Sequence, residues 1–486
     1  MKHTIMVIDL GTTNIKAALK DEAGETVSVK TLSTPVFYGE NSMEIDPGQL
    51  WRGVLDCCRG AVSDAGGQAH VDAVVVSSMA ASFIPLNSSG QVLCGAIGWG
   101  DARSTPYMEG CMEEFCDGRQ IPNCGQYPLP MYAGFKLWWL RERRPEVFRA
   151  VSKWLNVSEW IYGKLTGEQE YVTDYSVASR TMLFDIDKRC WNPAALEYFE
   201  VNPEWLARPL PAGTVVGTAA PETWEAGLSP DTKIVLGGHD HMCAIAGAGI
   251  TRPGIVLNST GTSEAVECLT AGAKEPEKLA ARWINLESAV LPGWAAAVYY
   301  VGASGRVYQS ACETMREYRA GEYPMPEDGP VFLPPQRAQL PSVKGELRNI
   351  SPVFDGQGIT RALRDGMYFE CRRGIQRILH GGDVSPDRVV RCVGGHTKNL
   401  FEMQLKSDAI GCTIEIAPGR DMVAEGAFLL AGVACGWYDA IPEAAERRYE
   451  QTEKRRFYPD LERSQRYEEL YMTRYLPQFD GGVNGL

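Results

Sequence analysis

Near the midpoint of the chain, the stretch Gly237 to Gly249, GGHDHMCAIAGAG, places Asp240 between two of the six histidines, His239 and His241. A short aliphatic run, KIVLGG, precedes it and an alanine- and glycine-rich run follows, so Asp240 falls where a strand hands over to a helix. There a side chain is held rigidly, backbone N–H groups point outward, and the positive end of a helix stabilises an anion. A carboxylate kept ionised in that position is equipped to act as a base. The competing reading is that Asp240 caps the helix, as aspartates at such turns often do. From this segment alone, capping is the stronger reading.

Two other stretches suit phosphate. Gly11-Thr12-Thr13-Asn14 sets a glycine and two hydroxyls in a tight hairpin, where exposed N–H groups and short donors can wrap an anion. Asp9, just before it, is placed to hold a magnesium ion, usually through water. Gly261-Thr262-Ser263 repeats the plan, with IVLNST and EAVECL on either side as IMVIDL and IKAAL flank the first turn. Each turn alone reads as an ordinary hairpin. Their repetition, once near the start of each half, is the most informative pattern in the chain. Facing one another, the two turns would clasp the phosphates of a nucleotide.

Three more clusters could line a site. In GWGDARS, Trp99, Asp101 and Arg103 combine an aromatic face, a carboxylate and a guanidinium, a set that suits a polyol; a local salt bridge beside a core tryptophan accounts for them equally well. Met79-Ala80-Ala81-Ser82 lies at the end of the strand DAVVVSSM, where binding loops gather. After the strand RVVRCV come Gly394-Gly395-His396-Thr397-Lys398-Asn399 and a helix, a place where a planar base or ribose can approach closely, or simply a turn. A strand-to-helix junction with Gly302, Gly305 and Gln309 lies upstream.

These residues must be positioned by alternating strands and helices. Residues 4–34 read as consecutive antiparallel strands, and Asp46-Pro47 opens a helix whose apolar face is Leu50, Trp51, Val54, Leu55, Cys58 and Val62. Lys136 to Gly167 reads as helical, interrupted at Pro145, and TDYSVASRTMLFD as a hydroxyl-rich loop over a cleft. Thr251-Arg252-Pro253-Gly254 is the expected hinge between domains at 1–250 and 251–486. Residues 331–349 read as a proline-rich loop. MVAEGAFLLAGVACG is a helix whose small residues permit tight packing, and the charged tail ends in an expected surface helix around Tyr467 to Tyr475.

Composition excludes several classes. At 486 residues with 44% hydrophobic and 22% charged content, the chain is long enough for two or three globular domains. A net charge of -13 opposes general nucleic-acid binding, though not nucleotide binding. The fourteen cysteines show neither a CxxC pair nor metal-ligand spacing and read as free thiols of a reducing cytoplasm. Asp9 breaks the first apolar run, and no eighteen apolar residues run together, so neither secretion nor membrane insertion is expected.

Taken in order, IDLGTTNIKAAL, WGDAR, KLTG, TDYSVASRTMLFD, GGHD, STGTS, GRVYQ, GGHTKNLFEMQLKSD and EGAFLLAG make the sequence resemble the FGGY carbohydrate kinases over nearly the whole chain. The resemblance implies an α/β fold of two actin/hexokinase-type (ribonuclease H-like) domains that close over ATP and a sugar in an interdomain active-site cleft. It implies Asp240 as general base, Asp9 as the carboxylate positioning Mg2+, and Thr12, Thr13, Asn14 and Thr262 as phosphate-binding residues. Gly305, Gln309, Gly395 and Asn399 then lie around the nucleotide, and Met79, Ala80, Trp99, Asp101, Arg103 and His241 around the sugar. The partners implied are ATP and a small sugar or polyol, with homodimerisation left open. Where glycerol kinases carry Arg-Glu and xylulokinases Met-His, this chain has Met79-Ala80, which disfavours glycerol and weakens the case for xylulose. Many relatives have Gln or Asn in place of His241, and a loop commonly GERxP is PPQRAQLPS here. The rival expectation is an actin-like nucleotide sensor or filament protein, against which WGDAR and TDYSVASR speak.

Overall fold

The computed structural model describes residues 2–66, 69–110, 123–167, 170–261, 263–271, 283–302, 307, 329–335, 344–350, 356–379, 385 and 387–479. The first hairpin sets the frame. Gly11 N–H donates to the carbonyl of Asn14 (3.0 Å), reversing the chain so that β1 (Lys2–Leu10) pairs antiparallel with β2 (Asn14–Asp21) with Asp9 opposite Lys16. β3 (Thr26–Ser33) continues the meander. Helix α1 (Pro47–Asp64) then carries the chain across; Asp46 caps it by accepting from Gln49 N–H at 2.8 Å, and its apolar face, Leu50, Trp51, Val54 and Cys58 among it, is buried. The crossover returns β4 (Ala69–Ser78) parallel to β1. β5 (Val215–Thr218) lies on the edge, and β6 (Lys233–His239) runs parallel to β4. The sheet order is β5-β6-β4-β1-β2-β3.

The second half repeats this plan. β7 (Val256–Thr260), β8 (Glu264–Thr270), β9 (Asn285–Ser288) and β10 (Ala295–Gly302) are joined by β11 (Val389–Val393), β12 (Thr413–Ile416) and β13 (Arg455–Phe457) in the order β9-β10-β8-β7-β11-β12-β13. β11 runs parallel to β7, and β12 parallel to β11. The series β3-β2-β1-β4-β6 thus matches β10-β8-β7-β11-β12: three antiparallel strands, then two parallel ones. The duplicated hairpin in the sequence is the visible end of a duplicated sheet, and the architecture is the two-domain α/β fold of actin/hexokinase type.

One helix crosses between the halves. α5 (Met422–Ala434) comes from the second half yet packs on β1, β4 and β6 and against α3 (Asp240–Gly247). Its apolar residues share one buried cluster with Ile5, Val75, Ile245, Leu257 and Val298, drawn from both sheets. Contact between α3 and α5 is glycine-mediated: a Cβ on Gly426 would lie 1.9 Å from the Cys243 carbonyl oxygen, and one on Gly247 2.0 Å from that of Met422.

Several local expectations change. Lys136 to Gly167 is not purely helical, because Lys153–Asn156 forms a strand paired with Phe83–Leu86; its alternation is too short to stand out between helices. TDYSVASRTMLFD is not an open loop: Val172–Asp174 is a strand and Tyr175–Ser179 a short helix, α2, capped by Asp174 and buried. The described parts of 331–349 include the paired strands Val331–Leu333 and Glu346–Arg348. The tail helix is not a free surface element either. Tyr467, Tyr471 and Tyr475 are buried, the Tyr471 hydroxyl donating to Gln376 and the Tyr475 hydroxyl to Glu370, each at 2.6 Å. Charged neighbours hid a tyrosine stripe at helical spacing.

Lys136 illustrates how a buried charge shapes the cleft wall. Its Nζ donates to the carbonyls of Ala81 (2.7 Å), Gly98 (2.8 Å) and Ile97 (3.2 Å), three acceptors for three N–H bonds. It thereby ties the backbone preceding Trp99 to that following Ala80. Lys136→Met is expected to cost about 1–3 kcal/mol per carbonyl left unpaired, read as a lower thermal midpoint.

Candidate active site

The approach to Asp240 is fixed by hydrogen bonds from outside its own segment. Gly237 N–H donates to the Tyr162 hydroxyl (2.7 Å), and His239 N–H to Ser176 Oγ (2.8 Å). Ser176 is in turn held by Asp174, which accepts from its N–H at 2.6 Å. β6 therefore ends rigidly at His239, and Asp240 is the first residue of α3 rather than its cap. Oδ1 of Asp240 accepts from His241 N–H at 2.8 Å and lies 3.0 Å from His239 Nε2. Both contacts fall on one oxygen. Oδ2 has no bond among the described residues, and the side chain retains 29% exposure.

Carboxylates of the second sheet meet the two histidines. His241 Nδ1 bonds Glu267 Oε1 on β8, and His239 Nδ1 lies 3.2 Å from Glu287 Oε2 on β9. Glu287 also accepts from Arg180 (2.8 Å) and from the Tyr300 hydroxyl on β10 (3.2 Å). Burial alone would push Asp240 up, but His239, His241 and the His241 N–H outweigh it and hold the carboxyl far below the usual carboxylate range. His241, which burial would push down, is raised to about 9 by Glu267. Glu287 is lowered to about 2, because Arg180 and the histidines overcome its desolvation.

Asp9 stands apart from this network. Burial, then Asp421 and Asp240, push it to about 7, with only Lys16, 3.9 Å away, opposing. A buried carboxylate surrounded mainly by like charge has a deficit of positive charge that a divalent cation would fill. Asp421 is already committed to Lys16 (2.5 Å) and to capping α5.

The remaining candidates divide into groups. Trp99 Nε1 donates to Thr12 Oγ1 at 2.8 Å, and that hydroxyl lies 4.0 Å from Met79 Sδ, so the first phosphate turn and the expected sugar side share one wall with Ala80. The Thr13 carbonyl accepts from Thr34 N–H (3.0 Å), and Asn14 opens β2. Asp101 is buried and bonds Arg103 and Met43 N–H; Arg103 also reaches Glu44 (2.7 Å) and stacks on Trp139 at 4.1 Å. Those two form a local ion pair. On the far side, Gly394 (φ 104°) sits where a Cβ would come 2.2 Å from the Thr260 carbonyl, which seats the second phosphate turn against the Gly394-Gly395 loop. A Cβ on Gly395 would meet open space. Asn399 caps α4 (Leu400–Ile410), accepting from Glu402 N–H at 3.3 Å, and its amide nitrogen has no bond among the described residues. Thr262, Gly305 and Gln309 lie outside the described residues.

The profile of the N-terminal domain of the FGGY family of carbohydrate kinases matches residues 4–247, and that of the C-terminal domain residues 256–435. The chain belongs to the FGGY family. As an FGGY kinase it is a carbohydrate kinase that uses ATP to phosphorylate a sugar or polyol, and the actin-like alternative is not favoured. Among its relatives is the autoinducer-2 kinase of Escherichia coli (strain K12), 26% identical over 505 residues, covering 96% of this chain and 92% of the relative. The glycerol kinase of Citrifermentans bemidjiense is 26% identical over 489 residues, with 96% of both chains covered. In fold, the xylulose kinase of Lactobacillus acidophilus superimposes with a TM-score of 0.87 at 20% identity, covering 99% of this chain and 98% of that one. The gluconate kinase of the same organism superimposes with a TM-score of 0.87 at 20% identity, covering 99% of each chain. No helix among the described residues is long and apolar enough to cross a membrane.

Sequence reading missed His239, Arg180, Glu267, Glu287 and Tyr300 as members of this site. A signal was present for two of them: Glu267 and Glu287 interrupt the apolar runs EAVECL and INLESAV, and a carboxylate inside a buried strand requires a partner.

Proposed function

We propose that the chain transfers the γ-phosphoryl group of Mg-ATP to a hydroxyl of a small ketose, such as a pentulose or deoxyhexulose, or of a polyol, with Asp240 as general base. The observation carrying this reading is a carboxylate with one oxygen fixed and the other, Oδ2, without a bond among the described residues. Phosphoryl transfer needs alignment and charge neutralisation more than covalent help, and an ionised, immobile base meets that need. Its depressed pKa keeps it ready to accept a proton throughout the neutral range.

In this reading residues 1–250 supply the base, the acceptor site and the first phosphate turn, and 251–486 the second turn and adenosine site. Thr12, Thr13, Asn14 and Thr262 hold phosphate oxygens; Gly305, Gln309, Gly395 and Asn399 surround the nucleoside. Asp9 fits a magnesium ion held through water, and that ion would neutralise the phosphates. Met79, Ala80, Trp99, Asp101, Arg103 and His241 lie around the acceptor. The reaction is assigned to the cytoplasm. The relatives' names span a signalling molecule, a polyol, a ketose and an aldonate, which defines the panel.

Incubation with Mg-ATP and autoinducer-2, pentuloses, hexuloses, deoxy sugars, polyols and gluconate, following ADP release, is the test. Release dependent on one acceptor class is expected. Release independent of any acceptor, or absent with all of them, would count against the reading.

A further inference from the structure

His239, at the end of β6, lies between two carboxylates, Asp240 at the start of α3 and Glu287 on β9. Its Nε2 is 3.0 Å from Asp240 Oδ1, its Nδ1 is 3.2 Å from Glu287 Oε2, and the ring is 6% exposed. A neutral imidazole carries one N–H and donates to one partner; only the imidazolium donates to both. Beyond Glu287 the chain continues to Arg180 and Tyr300. The Nδ1 and Oε2 atoms are buried and within hydrogen-bond distance but misaligned for a hydrogen bond, so a small reorientation of the ring or the carboxylate would complete it.

We propose that His239 is a positioning residue: as an imidazolium at the end of β6 it bridges Asp240, at the start of α3, to Glu287 of the second sheet, fixing Oδ1 of the base. The inference rests on the assignment of Asp240 as base. The hydrogen bond from His241 N–H and the approach of His239 Nε2 to 3.0 Å, both on Oδ1, orient the carboxylate and leave Oδ2 toward the acceptor. The fixed geometry favours a near-attack arrangement of the hydroxyl.

The other charges around the bridge come from each neighbouring element. Asp174 and Arg180 flank α2, Asp9 is on β1, and His241 and Cys243 lie on α3. Glu267 on β8 engages His241, and Tyr300 on β10 engages Glu287. Burial opposes the imidazolium, but Asp240 and Glu287 overcome it, raising His239 above the ordinary histidine value. The sign for activity follows: the bridge is intact below the His239 pKa and loses one of its bonds as pH rises through it.

The test has two arms. In the first, the ring nitrogens of His239 are followed by 15N NMR in the free protein, with the resonance assigned by loss in His239→Gln. Both nitrogens are expected to stay protonated above pH 7, and Glu287→Gln to lower the transition by about one pH unit or more. A neutral ring at pH 6, or no response to Glu287→Gln, would overturn the bridge whether or not an acceptor is known. In the second, with the best acceptor of the panel, wild-type kcat should fall at alkaline pH. Glu287→Gln should shift that limb to lower pH. His239→Gln, which keeps one donor, should abolish the limb and retain more kcat than His239→Leu, with KM for ATP unchanged in both. A merely structural role would lower kcat equally at every pH and leave the limb in place, defeating the inference. Absence of transfer to every acceptor would instead defeat the functional reading.

Discussion

Asp240→Asn is expected to lower the rate of phosphoryl transfer by about 10²- to 10⁴-fold, with ATP affinity unchanged. The amide preserves the volume of the carboxylate and, through its oxygen, the bond from His241 N–H that is 2.8 Å long in the wild type. What it removes is the ionised Oδ2, the oxygen without a partner among the described residues, and with it the acceptor of the hydroxyl proton. Loss should therefore fall on kcat, because proton transfer belongs to the reaction and not to ground-state binding. His239 and His241 will also lose an anionic neighbour, so the histidine protons should become easier to remove. Rapid-quench measurement of transfer beside calorimetric titration with nucleotide separates the two effects. Retention of more than a few per cent of the wild-type rate would remove Asp240 from the role of base.

The second large effect is expected at a residue remote from the chemistry. Gly426→Val should lower the thermal midpoint and abolish most of the activity, and Gly247→Val should do the same. An added Cβ at either position lies about 2 Å from a backbone carbonyl of the opposing helix, 1.9 Å at Gly426 and 2.0 Å at Gly247, where no side chain can rotate away. Overpacking typically costs about 1–3 kcal/mol and occasionally more, and two rigid helices can relieve this clash only by separating. α3 begins with Asp240, so the movement displaces the proposed base directly. Helix propensity alone predicts the opposite sign, since glycine is about 1 kcal/mol worse than alanine in a helix. Gly60→Ala in α1 provides the contrast: its Cβ would meet the flexible side chain of Lys30, at 2.9 Å, and stability should hold or rise. Equal behaviour of Gly426→Val and Gly60→Ala in thermal denaturation would refute the helix-crossing account.

Much of this was legible before any coordinates. The repeat of a glycine-hydroxyl hairpin between β-branched strands encodes the duplicated sheet, because a tight turn leaves the flanking strands no alternative to antiparallel pairing. Asp240 was legible as a strand-end carboxylate, and the cap it was suspected of being resolves into a self-bond: its Oδ1 takes the adjacent N–H while His239 holds the cap position. The strand at Lys153–Asn156 was not legible, since its partners, Phe83–Leu86, are distant in the chain and only pairing distinguishes four such residues from a helix end. The tyrosines of the tail were misjudged for a related reason. Charged residues around Tyr467 and Tyr471 signal solvent, yet the face they share is covered by Phe369 and its neighbours.

The sequence by itself determined the fold class, the family and the identity of the central carboxylate, because these depend on local periodicity, turn chemistry and the order of motifs along the chain. Only the tertiary structure decided what surrounds that carboxylate. His239 and His241 are neighbours of Asp240 in sequence, and Asp240 does most to raise His239, but the Nδ1 atoms of the two rings face Glu287 and Glu267, which lie 48 and 26 positions downstream by the numbering and arrive from a different sheet. The physical reason is that electrostatic and hydrogen-bond terms act over a few ångströms of space and carry no trace of separation along the chain. The packing of two domains, and not any single motif, leaves the aspartate that follows a strand end with one oxygen held and the other without a bond among the described residues.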